Sequence, residues 1–398
     1  MHRPNSSTSN FDKPLIASPR LRSPETSKKI RRVTKTGLCF VASLIALDAG
    51  INILFPYPKD PLNTSPGTMN LYFDYGRSLE GKITRQIGPT DEQSAPIARA
   101  GWLGDLPHSP QPKQPTAAGH HLIAMYGMSF VGNVGKAMQK TDSSLDMRLI
   151  LGPAAPPNHS FAAYQRDRHQ NQAEVVVFGI LASSVKGMDA MSGMTWSTDV
   201  PPPFTFSKYV VENQQLREIA PQVQSLDQLR QARQNPQQWQ AFVNQLRQND
   251  RFFDDITFDQ NWLDHSAIFR MLRRAWTKKH QDQVTQQIHD QNGFNPQWEQ
   301  ATVLKLMVEE FARTAKADQR IPIVILFNDR GYDDHLYQLL KPTLEAAKIP
   351  YVSSHSIAPA TDGRNFVPDG HFTEAANEKI AEKVLSLVQQ ELAHTNRK

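Results

Sequence analysis

Residues 121–130 read HLIAMYGMSF. The first half is an unbroken apolar run; it stops at Gly127, and a serine stands two residues further on, directly before the helix-like segment FVGNVGKAMQK (130–140). A short apolar run that does not alternate with polar residues reads as a strand buried on both faces, the kind found in parallel sheets covered by helices. Similar runs recur at MRLILG (147–152), EVVVFGIL (174–181), IPIVILF (321–327) and IPYVSS (349–354). Helix-like stretches lie between or after them: SFAAYQRDRHQ (160–170), DHLYQLLKPTLEAAK (334–348) and TEAANEKIAEKVLSLVQQELA (373–393). This alternation predicts an α/β fold with a parallel sheet between helical layers. Ser129 is then either a nucleophile held at a strand-to-helix turn or the N-cap of the following helix, and its own neighbourhood leaves both open.

The chain has 398 residues, enough for one large domain with insertions or for two smaller ones. Its formal charge of +5 is concentrated early: Arg3, Arg20, Arg22, Lys28, Lys29, Arg31, Arg32 and Lys35 precede the first long apolar run. The rest shows no basic face with interleaved aromatics, which argues against a nucleic-acid partner. A single cysteine, Cys39, rules out an intramolecular disulfide.

The run GLCFVASLIALDAGINILF (37–55) has the length of a bilayer-crossing helix, and the basic KKIRRVTK (28–35) comes just before it. Four stretches follow from this: a basic cytoplasmic arm at 1–36, a transmembrane anchor at 37–56, a linker and irregular segment at 57–118, and an α/β domain at 119–398. Positive residues stay on the cytoplasmic side, so the large C-terminal part is expected to be exported, periplasmic or otherwise extracytoplasmic. A cleavable signal peptide is the rival, but FPYPKDP (55–61) offers no small-residue cleavage site. Asp48 and Asn52, four apart within the run, share one helical face and suggest a membrane-protein partner. A weakly apolar anchor that tolerates one acid accounts for them equally well.

From about residue 206 to 320 no strand pattern is evident, and the segment is Gln-rich with helical periodicity; it reads as a helical insertion between the third and fourth strands. Pro221 and Pro236 break any sustained heptad, so a lid, a partner surface or a solvated helical hairpin fits better than a long coiled coil.

Reactive groups in such sheets collect at the carboxyl ends of strands. Ser129 falls just past the first strand, and VPDGHFT (367–373) brings Asp369 and His371 into a short loop before the last helix. A serine needs a base to become a nucleophile, and the base needs a group that fixes its tautomer. Ser129, His371 and Asp369 supply those parts, although each alone also suits a helix cap or a surface charge. His120 and His121 adjoin and point to different faces, a poor metal pair, and neither an H-E-x-x-H set nor a phosphate loop is present. No metal and no cofactor are expected.

On these motifs the chain resembles the SGNH (GDSL-like) hydrolase superfamily, over about residues 119–398 apart from the helical insertion. YGMSF (126–130) matches the block that carries the nucleophile, with Met128 where Asp is usual; LILGPAAPPNHSFAAY (149–164) looks like the second block; VPDGHFT matches the terminal one. The Asp-x-His spacing resembles the alginate-acetylation branch, whose members O-acetylate exported polysaccharides. The resemblance implies a flavodoxin-like three-layer α/β/α sandwich, with Ser129 as nucleophile, His371 as base and Asp369 as its orienting acid. It also implies an oxyanion hole built from the N–H groups of Ser129 and Gly152. The third block departs from the pattern: FGILASSV (178–185) puts Leu181 where the family has an oxyanion-binding Asn. Asn158 or Ser183 is the expected substitute donor. The expected activity is therefore a serine acyl esterase or O-acyltransferase, taking an acyl donor and a carbohydrate acceptor of the cell envelope or an exopolysaccharide. Two rivals stay open, a scaffold or binding protein that has lost efficient catalysis and an interaction protein working through its helical insertion.

Overall fold

The computed structural model describes residues 24–57, 60, 62, 67–199 and 201–395. It divides into two units, Met1–Leu54 and Phe55–Lys398. In the first, one helix runs from Pro24 to Leu54, so the basic KKIRRVTK is helical and continuous with the apolar run. Its part Arg31–Leu54, which contains an 18-residue window of mean hydropathy 1.9, is long and apolar enough to cross a bilayer. Residues 1–23 of the basic arm lie outside the described residues.

The second unit is built on five parallel strands, β1 (His121–Gly127), β2 (Leu145–Leu151), β3 (Val175–Leu181), β4 (Ile321–Phe327) and β5 (Tyr351–Ser353), in the order 2-1-3-4-5. Tyr126 lies beside Ile150 on one neighbour and Phe178 on the other, which fixes the register of the first three. Alternate side chains leave the sheet on opposite faces. Ile123, Met125, Val175, Val177, Ile323 and Ile325 meet helices α1 (Ser129–Thr141) and α5 (Glu374–Thr395). Leu122, Ala124, Tyr126, Val176, Phe178 and Val324 meet α2 (Pro157–Asp167), α3 (Glu299–Ala317) and α4 (His335–Ala346). Both faces are therefore buried, which is why the strands read as continuous apolar runs; each buried large side chain contributes about 1.5–3 kcal/mol.

α1 comes unusually close to the sheet. A Cβ on Gly127 or Gly179 would stand 2.3 or 2.1 Å from Val131 Cγ2, so glycines at the end of β1 and within β3 let the first turn of α1 settle between them. On the opposite face the wholly buried Arg148 and Asp167 pair at 2.5 Å, and Asp167 also accepts from the Tyr126 hydroxyl at 2.8 Å. Arg148 Nη1 donates to Gln111 O and Pro112 O, strapping the preceding segment across β2.

Two boundaries differ from the sequence reading. Residues 57–118 are not a free linker: the helices Thr68–Asp74, Leu79–Gln86 and Pro96–Arg99 form there, and Leu79, Ile83, Trp102, Leu103 and Leu106 enter the core. Each helix is eight residues or fewer, too short to display a period clearly. Residues 206–320 are not purely helical either. Lys208–Glu212 and Gln215–Ile219 form an antiparallel hairpin, turned by Asn213 and Gln214 at φ of 50° and 62°. Two consecutive positive φ values suit a primed two-residue turn, whose usual Asn-Gly signature is absent because glutamine takes the second place. The segment's last helix, α3, also belongs to the sheet, covering β4. The Gln-rich part forms two short helices, Leu226–Gln234 and Pro236–Asn249; Pro236 opens the second, capped by Asn235.

Candidate active site

Ser129 is the first residue of α1, and Met128 occupies the cap position without a capping side-chain bond. The Ser129 hydroxyl is therefore not engaged as a cap. It meets His371 Nε2 at 2.7 Å across 242 residues of chain. The other ring nitrogen, His371 Nδ1, lies 3.1 Å from Asp369 Oδ1. With Asp369 ionised, Nδ1 carries the proton and donates it to the carboxylate, leaving Nε2 to accept from the serine.

The loop that presents His371 is closed from several sides. Val367 N–H donates to His371 O at 2.8 Å, Phe366 and Phe372 form a bridge, and Gly370 turns between them at φ 92°. Asp369 Oδ1 accepts the His371 backbone N–H at 3.0 Å, so one carboxylate oxygen faces both the main chain and the ring of the same residue. That backbone bond, together with the ring contact, holds the Asp369 carboxyl below the ordinary carboxylate range. Thr373 accepts from Ala376 N–H at the start of α5, so Asp369 is not needed as that cap. Phe130 stacks on the imidazole with ring centroids 4.9 Å apart and packs edge-on against Phe372. The Asp369 side chain is 69% exposed, whereas His371 is one-third exposed.

The expected oxyanion donors have other partners. Gly152 N–H donates to Gly127 O at 3.1 Å. The buried Asn158 donates its amide to Ser207 O at 2.7 Å. Ser183 Oγ donates to the Asp329 carboxylate. Leu181 is 4% exposed and belongs to the same apolar cluster as Phe130, Phe327 and Phe372, so the third-block position is filled as core. In the N-terminal unit, Asn52 Nδ2 donates to Asp48 O at 2.9 Å and lies 3.5 Å from Asp48 Oδ2, so these two side chains meet on one helical face.

A cavity of about 310 Å³ opens at the carboxyl ends of β1 and β2, lined by Gly127, Gly152, Trp102, Asp105, Gln111 and His159 among others. Neither Ser129 nor His371 lines it, although Gly127 stands two residues before the serine. Burial pushes His159 down to about 3, so its imidazole there is neutral at ordinary pH. Two contributors escape sequence reasoning. Phe130 reads as an ordinary core residue of α1, and only the fold brings it against His371. Asp329 stands two residues past the end of β4, and the strand-end rule that points to Ser129 also singles it out. Among the described residues no group of three or more His, Cys, Asp or Glu side chains is placed to hold a metal ion. Comparison with known proteins returns no matching family model, no similar curated protein and no similar solved structure.

Proposed function

We propose that this chain is a membrane-anchored, SGNH-type serine acyl esterase or O-acyltransferase with a flavodoxin-like sandwich, acting on a cell-envelope carbohydrate or exopolysaccharide. The observation that carries the reading is the relay from Ser129 Oγ to His371 Nε2 at 2.7 Å and from His371 Nδ1 to Asp369 at 3.1 Å. Those three groups, joined in that order, are what nucleophilic acyl transfer requires. The N-terminal helix, with basic residues ahead of it, fits an anchor that leaves the large unit outside the cytoplasm.

In this reading Ser129 Oγ attacks the acyl carbonyl while its proton passes to His371 Nε2. The tetrahedral intermediate collapses, the leaving alcohol takes the proton from His371, and the acyl group remains on Ser129. Water or a sugar hydroxyl then attacks the acyl-enzyme, with His371 again as base, giving an esterase or a transferase. Ser129 N–H, in the first turn of α1, has no intrahelical acceptor and serves the oxyanion. Gly152 N–H joins it if the bond to Gly127 O opens. The cavity beside Gly127, where Trp102 stands among Gln111, Asp105 and a neutral His159, offers the mixed aromatic and hydrogen-bonding lining that a sugar uses.

A second reading, a catalytically impaired SGNH-like scaffold in polysaccharide assembly, is favoured by one specific observation. Gly152, Asn158 and Ser183 all donate elsewhere, and Leu181 is core. Loss of one oxyanion donor costs about 10²–10³ in rate. Intact-mass spectrometry of the full chain with an activated acetyl ester separates the two. The enzyme reading expects one acetyl adduct that is absent from Ser129→Ala and His371→Ala, with faster loss on adding a glycan if the protein is a transferase. No adduct on wild type favours the scaffold.

A further inference from the structure

The residue that follows the apolar helix is packed into the large unit: Phe55 stacks on Phe73 with centroids 5.4 Å apart. Phe73 belongs to the short helix Thr68–Asp74, which lies against the helix Ala267–Ile288. Arg270 Nε donates to Phe73 O at 2.7 Å, and the Arg274 guanidinium sits 5.6 Å from the centre of the Tyr72 ring.

The first three turns of the long helix are inverted. A surface helix of a water-facing unit puts its apolar stripe inward. Here the buried side of the first three turns includes Arg270, Arg273 and Thr277, and Arg273 pairs inward with Asp264. The outward side carries Met271, Leu272 and Trp276, exposed at 40%, 64% and 47%. On the short helix Met69 and Tyr72 are exposed as well, and Trp262, 78% exposed, stands just ahead of the long helix. The exposed cations Lys278 and Lys279 follow Trp276 on the same helix. Exposed Trp, Tyr and aliphatic residues bordered by Lys and Arg are the composition of a membrane–water interface.

We propose that this outward face of Ala267–Ile288 and Thr68–Asp74 rests on the lipid bilayer, at the interface where the anchor helix leaves it. The proposal rests on reading Arg31–Leu54 as a membrane span. Chain continuity favours lipid over another occupant: Leu54 ends the span, Phe55 is the next residue, and Phe55 is stacked on the short helix that carries Met69 and Tyr72. The face therefore belongs to the part of the unit that the chain enters directly after the span.

The test uses the full chain reconstituted in equimolar phosphatidylcholine–phosphatidylglycerol vesicles with brominated acyl chains, which quench nearby tryptophans. Wild-type emission is expected to be quenched, and the double variant Trp262→Phe/Trp276→Phe to lose most of the quenchable part. A Met271→Glu/Leu272→Glu variant keeps both tryptophans and is expected to lose quenching while its thermal unfolding is unchanged. Quenching that is identical in wild type and in both variants overturns the proposal. Alkaline carbonate extraction separates the two ways of failing. A chain that is stripped from membranes overturns anchor and face together, whereas a retained chain with Trp262 and Trp276 unquenched overturns the face alone.

Discussion

Ser129 stands one residue inside its helix, with Met128 at the cap, and that offset leaves its hydroxyl free for His371 instead of the backbone. Asp369 differs from the acid of a buried triad because its side chain is 69% exposed. An exposed ion pair is screened by solvent and contributes little, below about tenfold in rate. Phe130, stacked on the ring, and the loop bonds around Val367 and Gly370 share the work of holding the imidazole. Asp369→Asn should therefore slow acetylation of Ser129 by less than about tenfold, measured by the rise of the acetyl adduct; a loss near a thousandfold would mean the carboxylate acts as a buried acid does. Ser129, Asp369 and His371 are legible in the sequence because strand ends and helix starts are legible. Gly152, Asn158 and Ser183 are placed only by their blocks, which locate the backbone but do not say which acceptor takes each donor.

The strands and their covering helices can be read from the sequence because burial on both faces leaves an unbroken apolar run. The hairpin Lys208–Glu212/Gln215–Ile219 and the short helices of 68–99 cannot, since their order comes from packing against distant elements and not from a local period. The seat of α1 shows the same dependence on tertiary fit: Gly127 and Gly179 matter through Val131, which no local pattern connects to them. Gly179→Ala should cost about 1–3 kcal/mol by overpacking and weaken acetylation through displacement of Ser129. Adding Val131→Ala should restore part of both, read in chemical denaturation and adduct formation, because the clashing methyl is then gone. If the two substitutions simply add, the contact is not what constrains α1.

At the scale of the whole molecule, Asp250 ties the segment after β3 to the helices that follow it. It is buried, accepting from Met191 N–H at 2.7 Å, Phe252 N–H at 2.9 Å and the Thr195 hydroxyl at 2.6 Å, yet burial outweighs these bonds and pushes it up to about 6. In the unfolded chain it titrates near its ordinary value of about 4. Between those values the folded state binds more protons, so the contribution of the protonated form is fully present below about pH 4 and lost as the pH rises through about 6. Relative to Asp250→Asn, the wild type should lose on the order of 3 kcal/mol of stability between those pH values, measured by denaturation of both proteins across the range. A difference that does not change with pH would place the proton elsewhere.

The sheet and the relay meet in one proposal, that Ser129 accepts an acyl group. The measurement that tests it most directly is peptide mapping of the full chain after exposure to the activated acetyl ester. The account predicts the acetyl mass on the tryptic peptide spanning 114–136, at Ser129, and its absence from the Ser129→Ala protein. Acetyl found on another peptide, or undiminished in Ser129→Ala, would contradict it.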